Sequence, residues 1–164
     1  MTRTELLTYL RESKGLTTKE IEKIKNDKQR LTEVVFNDSK LDRNPTEFID
    51  GIFGGNLSEM DFTEYKSKAV HIDTNGIVTD ITPDNGKAFS LKEMYRYCET
   101  NQVEFFYLAN NRIVIMDEEG RLKPRRKINW LATKIVYDQL SAYRPAEPFF
   151  IFGDVMIVNS KEVE

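Results

Sequence analysis

The chain has 164 residues, 40 % apolar and 31 % charged, an ordinary globular composition long enough to bury a core without disulfides or a metal. Its net charge of −3 is spread evenly: residues 1–66 carry 11 basic against 13 acidic side chains and residues 67–164 carry 13 against 14, which excludes a basic nucleic-acid arm and an acidic mimic of nucleic acid. Cys98 is the single cysteine, so no internal disulfide can form and a reducing cytoplasm is expected; the charged stretch 1–16 is not a signal peptide, and no apolar run approaches the roughly 18 residues of a membrane span.

Residues 1–66 read as a helical N-terminal segment. Thr2 and Glu5 have capping-box spacing, Leu6, Leu7 and Leu10 share a face, and Gly15 can end the helix. Thr17 with Glu20 makes a second box, with Leu16 and Ile21 placed as a hydrophobic staple, and Ile21, Ile24, Leu31, Val34 and Val35 continue one apolar stripe. A third helix is expected from Asn44 and Pro45, with Glu47 completing its cap, Phe48, Ile49, Ile52 and Phe53 as its apolar residues and Gly54-Gly55 as its stop. Residues 16–21 also resemble the entry to a helix-turn-helix. The following helix, however, mixes Lys23, Lys25, Lys28 and Arg30 with Glu20, Glu22, Asp27 and Glu33, so helical-hairpin packing is expected rather than DNA reading.

From residue 67 the pattern alternates with period two. Residues 69–73 and 77–82 are strands around Asn75-Gly76, and a two-residue loop sets Ile72 opposite Thr79 and His71 opposite Asp80. A helix capped by Ser90 and Glu93 follows, stapled by Phe89 and Met94, with Leu91, Met94, Tyr95 and Cys98 on its inner face. Residues 103–108 and 112–116 form a second hairpin around Asn110-Asn111. Its register puts Leu108, Ile113, Phe106 and Ile115 on one face, Tyr107, Val114, Phe105 and Met116 on the other, and Glu104 opposite Asp117. Both faces are apolar, so each needs a cover. A long helix capped by Asn129 turns Leu131, Ile135, Val136 and Leu140 inward. Pro145 and Pro148 break the chain, and 149–158 is a last strand, apolar on both faces apart from Asp154. The expected fold is therefore α+β: a mostly antiparallel sheet of about five strands in ββαββαβ order over residues 67–164. Its own helices lie on one face and the N-terminal helices are the cover expected for the other.

Several of these segments resemble, in order and spacing, a family of small domains of unknown function found in bacteriophages, plasmids and conjugative elements. The segments are Gly86-Lys87-Ala88-Phe89-Ser90-Leu91 with Glu93-Met94, Val103-Glu104, Ile113 to Gly120, Asn129-Trp130-Leu131-Ala132-Thr133, and Ile151 to Ile157. The resemblance spans about the last 95 residues. It departs from the family pattern at Asp117-Glu118-Glu119, where an asparagine usually precedes the glutamate-glycine turn, and in a longer connection from Ala142 to Phe149. It implies a mobile-element origin and carries over no catalytic residue.

Of groups with chemical potential, His71 is the only histidine; a stabilising cross-strand pair with Asp80 is expected for it rather than acid–base work. Cys98 falls on a buried helical face, where thiols are inert. Asp117, Glu118 and Glu119 could take a cation but lack the alternate-residue spacing of a calcium loop. The basic loop, Arg121, Lys123, Arg125, Arg126 and Lys127 beside Trp130, could hold phosphates and stack a base. No phosphate loop, nucleophile elbow or paired-cysteine metal site occurs, so no catalytic residue, cofactor or metal is expected. The leading expectation is a non-enzymatic protein-binding module, in counter-defence or host takeover, acting on an unidentified protein partner or as a homodimer in the bacterial cytoplasm. Tyr143, Phe149, Phe150, Phe152 and Trp130 are its candidate exposed aromatics. The alternative is a nucleic-acid-binding accessory protein using loop 121–127; no membrane association is expected.

Overall fold

A computed structural model describes residues 2–27, 29–31, 34, 68–124, 127–139 (backbone only for 137–139) and 150–164. The chain divides into two compact units, Met1–Met60 and Asp61–Glu164.

In the first unit both expected capping boxes form. Thr2 opens α1 (Arg3–Glu12): its hydroxyl accepts from the Glu5 amide while the Glu5 carboxylate accepts from the Thr2 amide at 2.6 Å. Gly15, at φ +65°, lets the Leu16 amide reach back to the Leu10 carbonyl at 3.1 Å and so ends the helix. Thr17 and Glu20 repeat the box at α2 (Thr18–Ile24). The single long stripe expected after Thr17 is broken: α2 stops at Ile24, and Asp27 caps a new helical turn by accepting from the Arg30 amide at 3.0 Å. The break is held from α1, where the Arg3 guanidinium donates to the Lys25 carbonyl and to Asn26 Oδ1. Leu6, Leu10, Ile21, Ile24 and Leu31 are buried, as helical-hairpin packing requires. Val35 and the third helix expected from Asn44 lie outside the described residues.

The second unit is the expected α+β fold. Its elements run β1 (Val70–Ile72), β2 (Val78–Asp80), α3 (Leu91–Tyr97), β3 (Val103–Tyr107), β4 (Arg112–Asp117), α4 (Trp130–Gln139) and β5 (Val155–Asn159), closed by a 3-10 turn at Ser160–Glu162. The five strands form one antiparallel sheet in the order β2-β1-β5-β4-β3, so the last strand enters the middle.

Both hairpins slip one residue from the expected register. In the first, Ile72 faces Val78 and His71 faces Thr79, so the expected Ile72–Thr79 and His71–Asp80 pairs do not form. The cause is Asp73, whose Oδ1 accepts from the Asn75 amide at 2.9 Å and the Ile77 amide at 2.8 Å. With only Gly76 at positive φ (+81°), these bonds close a three-residue loop with a bulge in place of a primed two-residue turn. In the second hairpin Asn110 and Asn111 do take the positive φ of a primed turn (60° and 58°). The Leu108 and Arg112 hydrogen bonds leave Ala109 as an extra residue, and the pairs shift to Phe105 with Ile115 and Val103 with Asp117. The unfavourable Glu104–Asp117 pair is thereby avoided.

One sheet face packs Ile113, Ile115, Met156 and Val158 with Ala69 and Ile81 against Phe89, Met94 and Cys98 of the α3 region. Each buried Ile, Val, Met or Phe of this set contributes about 1.5–3 kcal/mol. On the opposite face Val70, Ile72, Val114, Val155 and Ile157 are also buried. The Ser90–Glu93 capping box of α3 forms, but Leu91, expected inward, is 51 % exposed, and the buried position is Glu93, which accepts from Ser90 and from the Asp84 amide. The C-terminal residues lock onto this end: the Phe89 amide donates to the Glu162 carbonyl, and the Glu164 amide to the Phe89 carbonyl.

The last strand is shorter than expected, beginning at Val155 rather than residue 149. Gly153 takes φ +77°, and the segment before it is held by the head of α4 instead of a ladder. There Asn129, wholly buried, caps α4 by accepting from the Ala132 amide and donates from Nδ2 to the carbonyls of Ile72 (3.0 Å) and Gly153 (3.1 Å). Thr133 Oγ1 accepts from the Ile151 amide. Leu131 and Val136 point inward as expected, Ile135 is half-buried, and Leu140, Pro145 and Pro148 lie outside the described residues.

Candidate functional site

The polar groups with chemical potential are tied into the scaffold. Cys98 is fully buried, its thiol 3.3 Å from the Ile115 carbonyl as donor, which suits an inert core thiol. Asp117, first of the acidic turn, has a wholly buried side chain that accepts from Lys123 Nζ (2.9 Å), Thr100 Oγ1 (2.7 Å) and the Glu119 amide. Burial pushes its pKa up, but the Lys123 ammonium and these donors outweigh it and hold the carboxyl below its usual value. Glu118 and Glu119 are exposed. Among the described residues no group of three His, Cys, Asp or Glu side chains could hold a metal ion.

His71 faces the α3 side of the sheet. Its partner is Asp154, the one polar residue the sequence pattern leaves in the last strand. Nε2 lies 3.2 Å from Asp154 Oδ2, with both side chains 20 % exposed. This is an ion-pair distance for a protonated imidazole; the geometry is not that of a hydrogen bond. Asp154 Oδ1 also accepts from the Thr74 amide, so the carboxylate ties β1, its turn and the entry to β5 together. The Tyr97 ring packs at 5.7 Å from the imidazole, with the Arg96 guanidinium 5.1 Å from the centre of the Tyr97 ring and paired with Asp84. A His–Asp pair can hold one proton, and here the same geometry serves as a cross-strand brace.

The basic loop divides. Arg121 and Lys127 are exposed, Arg125 and Arg126 lie outside the described residues, and Lys123 is committed to Asp117 and Thr100. Trp130 is half-buried with its indole over Gly76, where a Cβ would sit 2.3 Å from Cζ2, so the ring packs on the first hairpin. A cation that sequence reasoning passed over is Arg112. It is buried in the sheet, where it donates to the Lys68 and Ile157 carbonyls, and burial lowers its pKa.

Exposed apolar surface gathers elsewhere than expected. Of the candidate aromatics, Phe150, Phe152 and Trp130 are half-buried, and Tyr143 and Phe149 lie outside the described residues. Instead β3, at the end of the sheet, exposes Tyr107 (75 %) and Phe105 (37 %) beside half-buried Val103. β4 is buried along its whole length, so the two-sided cover expected for the hairpin reaches only its inner strand. The strand order that makes β3 an edge is a tertiary fact; the only local signal is the contrast between aromatic Val103–Tyr107 and aliphatic β4.

Among the described residues no helix is long and apolar enough to cross a membrane. No family model, no curated protein and no solved structure matches the chain significantly.

Proposed function

We propose that the chain is a non-catalytic protein-binding module of phage, plasmid or conjugative origin, working in the cytoplasm of a bacterial host. The observation that carries this reading is the β3 edge: a terminal strand with Tyr107 and Phe105 turned to solvent, while Cys98, Asp117 and Lys123 serve internal packing. An edge strand offers unpaired main-chain donors and acceptors, and its alternate side chains supply the contacts that select a partner.

The test is photocrosslinking in bacterial cells with a benzophenone amino acid replacing Tyr107, compared with Leu122, which is 80 % exposed and follows β4 outside the sheet. Protein adducts at 107 and none at 122 support the reading; no protein adduct at 107, or equal yields, overturns it. The second reading, nucleic-acid binding through residues 121–127, draws on exposed Arg121 and Lys127 but has lost Lys123 to Asp117. It requires affinity that falls steeply with salt and is abolished by Arg125→Ala, Arg126→Ala and Lys127→Ala together.

A further inference from the structure

We infer that the partner on the β3 edge is a second copy of this chain, joined by antiparallel pairing of the two β3 strands about a two-fold axis at Phe105; this rests on the reading above and specifies its partner.

The backbone sets the geometry. In the hairpin the Leu108 amide donates to Arg112 and the Glu118 amide to the Gln102 carbonyl, so even-numbered residues turn their peptide groups toward β4. By alternation Val103, Phe105 and Tyr107 turn theirs to the open side, on the strand whose only described strand neighbour is β4. A partner strand must therefore meet these three residues in narrow, hydrogen-bonded pairs.

Charge then chooses the register. Centred on Phe105, a second copy pairs Val103 with Tyr107, Phe105 with Phe105 and Tyr107 with Val103 on the α3 side. On the other side Glu104 meets Phe106. All five residues are matched and no carboxylate faces another. Sliding by one pairing step toward the N-terminus sets Glu104 against Glu104, a like-charge pair. Sliding the other way pushes the pairing into the bulged turn at Ala109. Of these registers only the full-overlap one avoids both the like-charge pair and the bulged turn, and it is self-complementary, as a two-fold interface must be.

The two ends of the sheet differ in their protection. β2 is three residues long, and its Asp80 is paired with Lys68 at 3.0 Å before Pro83 ends the run. β3 has five residues with no lysine, proline or glycine, and no charge on its exposed aromatic side. Edges that are meant to stay single carry such guards; on β3 the one charge, Glu104, lies on the face opposite Phe105 and Tyr107, and the bulge comes only after the strand, at Ala109.

The full chain is measured by sedimentation over a concentration series, as wild type, Phe105→Lys and Tyr107→Lys, with thermal melts to confirm folding. The expected result is a concentration-dependent dimer whose dissociation constant rises more than about tenfold in either variant. Oxidation of Phe105→Cys supplies the register test, because the axis brings the two Cα atoms to about 5.5 Å, within disulfide reach. It should crosslink, and Leu122→Cys should not. A wild-type monomer at every concentration overturns the inference, as does a dimer unchanged by both lysines or equal crosslinking at 105 and 122. A monomer whose benzophenone at 107 still captures a different protein defeats this inference alone, and a monomer that captures none defeats the parent reading with it.

Discussion

Gly76 and Gly86 form a matched pair from which the contribution of one contact can be read. Both sit in the left-handed region, at φ +81° and +70°, but a Cβ at Gly86 meets nothing within 4 Å, whereas at Gly76 it lies 2.3 Å from Trp130 Cζ2 and 2.9 Å from Cη2. Gly86→Ala carries only the conformational cost of an L-residue at positive φ, about 1–2 kcal/mol. Gly76→Ala carries that plus the displacement of a rigid indole, about 1–3 kcal/mol more for an overpacked contact. Urea unfolding followed by far-UV circular dichroism gives both losses, and fluorescence of Trp130, the only tryptophan, should change in the folded state of Gly76→Ala alone. Combining Gly76→Ala with Trp130→Ala should bring the added loss down to the Gly86→Ala value, a double-mutant cycle on one pair. Equal losses at the two glycines would mean that Trp130 does not pack on the hairpin.

Other consequences can be checked at the bench. Asp117 is held below its usual pKa, so its stabilisation is complete above the unfolded carboxylate value of about 3.9 and fades as pH falls through the folded value. Lys123→Met should therefore destabilise by about 3 kcal/mol at pH 7 and by much less at pH 3; equal losses at both would refute the pairing. Asn129→Ala removes a cap and the donors to two buried carbonyls, and should lower stability by about 2–4 kcal/mol in denaturant titration. Ser90→Ala should cost about 1 kcal/mol through the α3 cap, with amide exchange quickening first at residues 91–94.

Local chemistry was legible where a side chain acts on its own neighbours. The Thr2, Thr17 and Ser90 capping boxes, the Asn129 cap and the positive φ of Asn110 and Asn111 follow from short-range hydrogen bonding and appear as read. Register was not legible, because one bond from Asp73 to the Ile77 amide, or one extra residue at Ala109, shifts a whole ladder while leaving each strand's own alternation intact. The length of β5 was misread because Ile151 to Gly153 keeps an extended, apolar sequence while its backbone is claimed by Asn129 and Thr133 from another element. The candidate surface was hidden for a related reason. Aromatic residues near the C-terminus look exposable, yet exposure is decided by which strand ends the sheet. Asp154 gave the clearest missed cue: a lone polar residue in a greasy run, it proves to be the partner of His71.

The central place of β5 has a consequence for how the chain is made. Of the strands in this sheet Val155–Asn159 is the last to be synthesised, yet it lies between β1 and β4, so the two hairpins have no shared sheet to join until it is made. Until it docks, the nascent chain presents two separate ribbons whose inner strands, β1 and β4, each lack the neighbour they have in the sheet. Closing contacts of such long sequence separation is slow, and that interval is when chaperone capture and mispairing compete with completion.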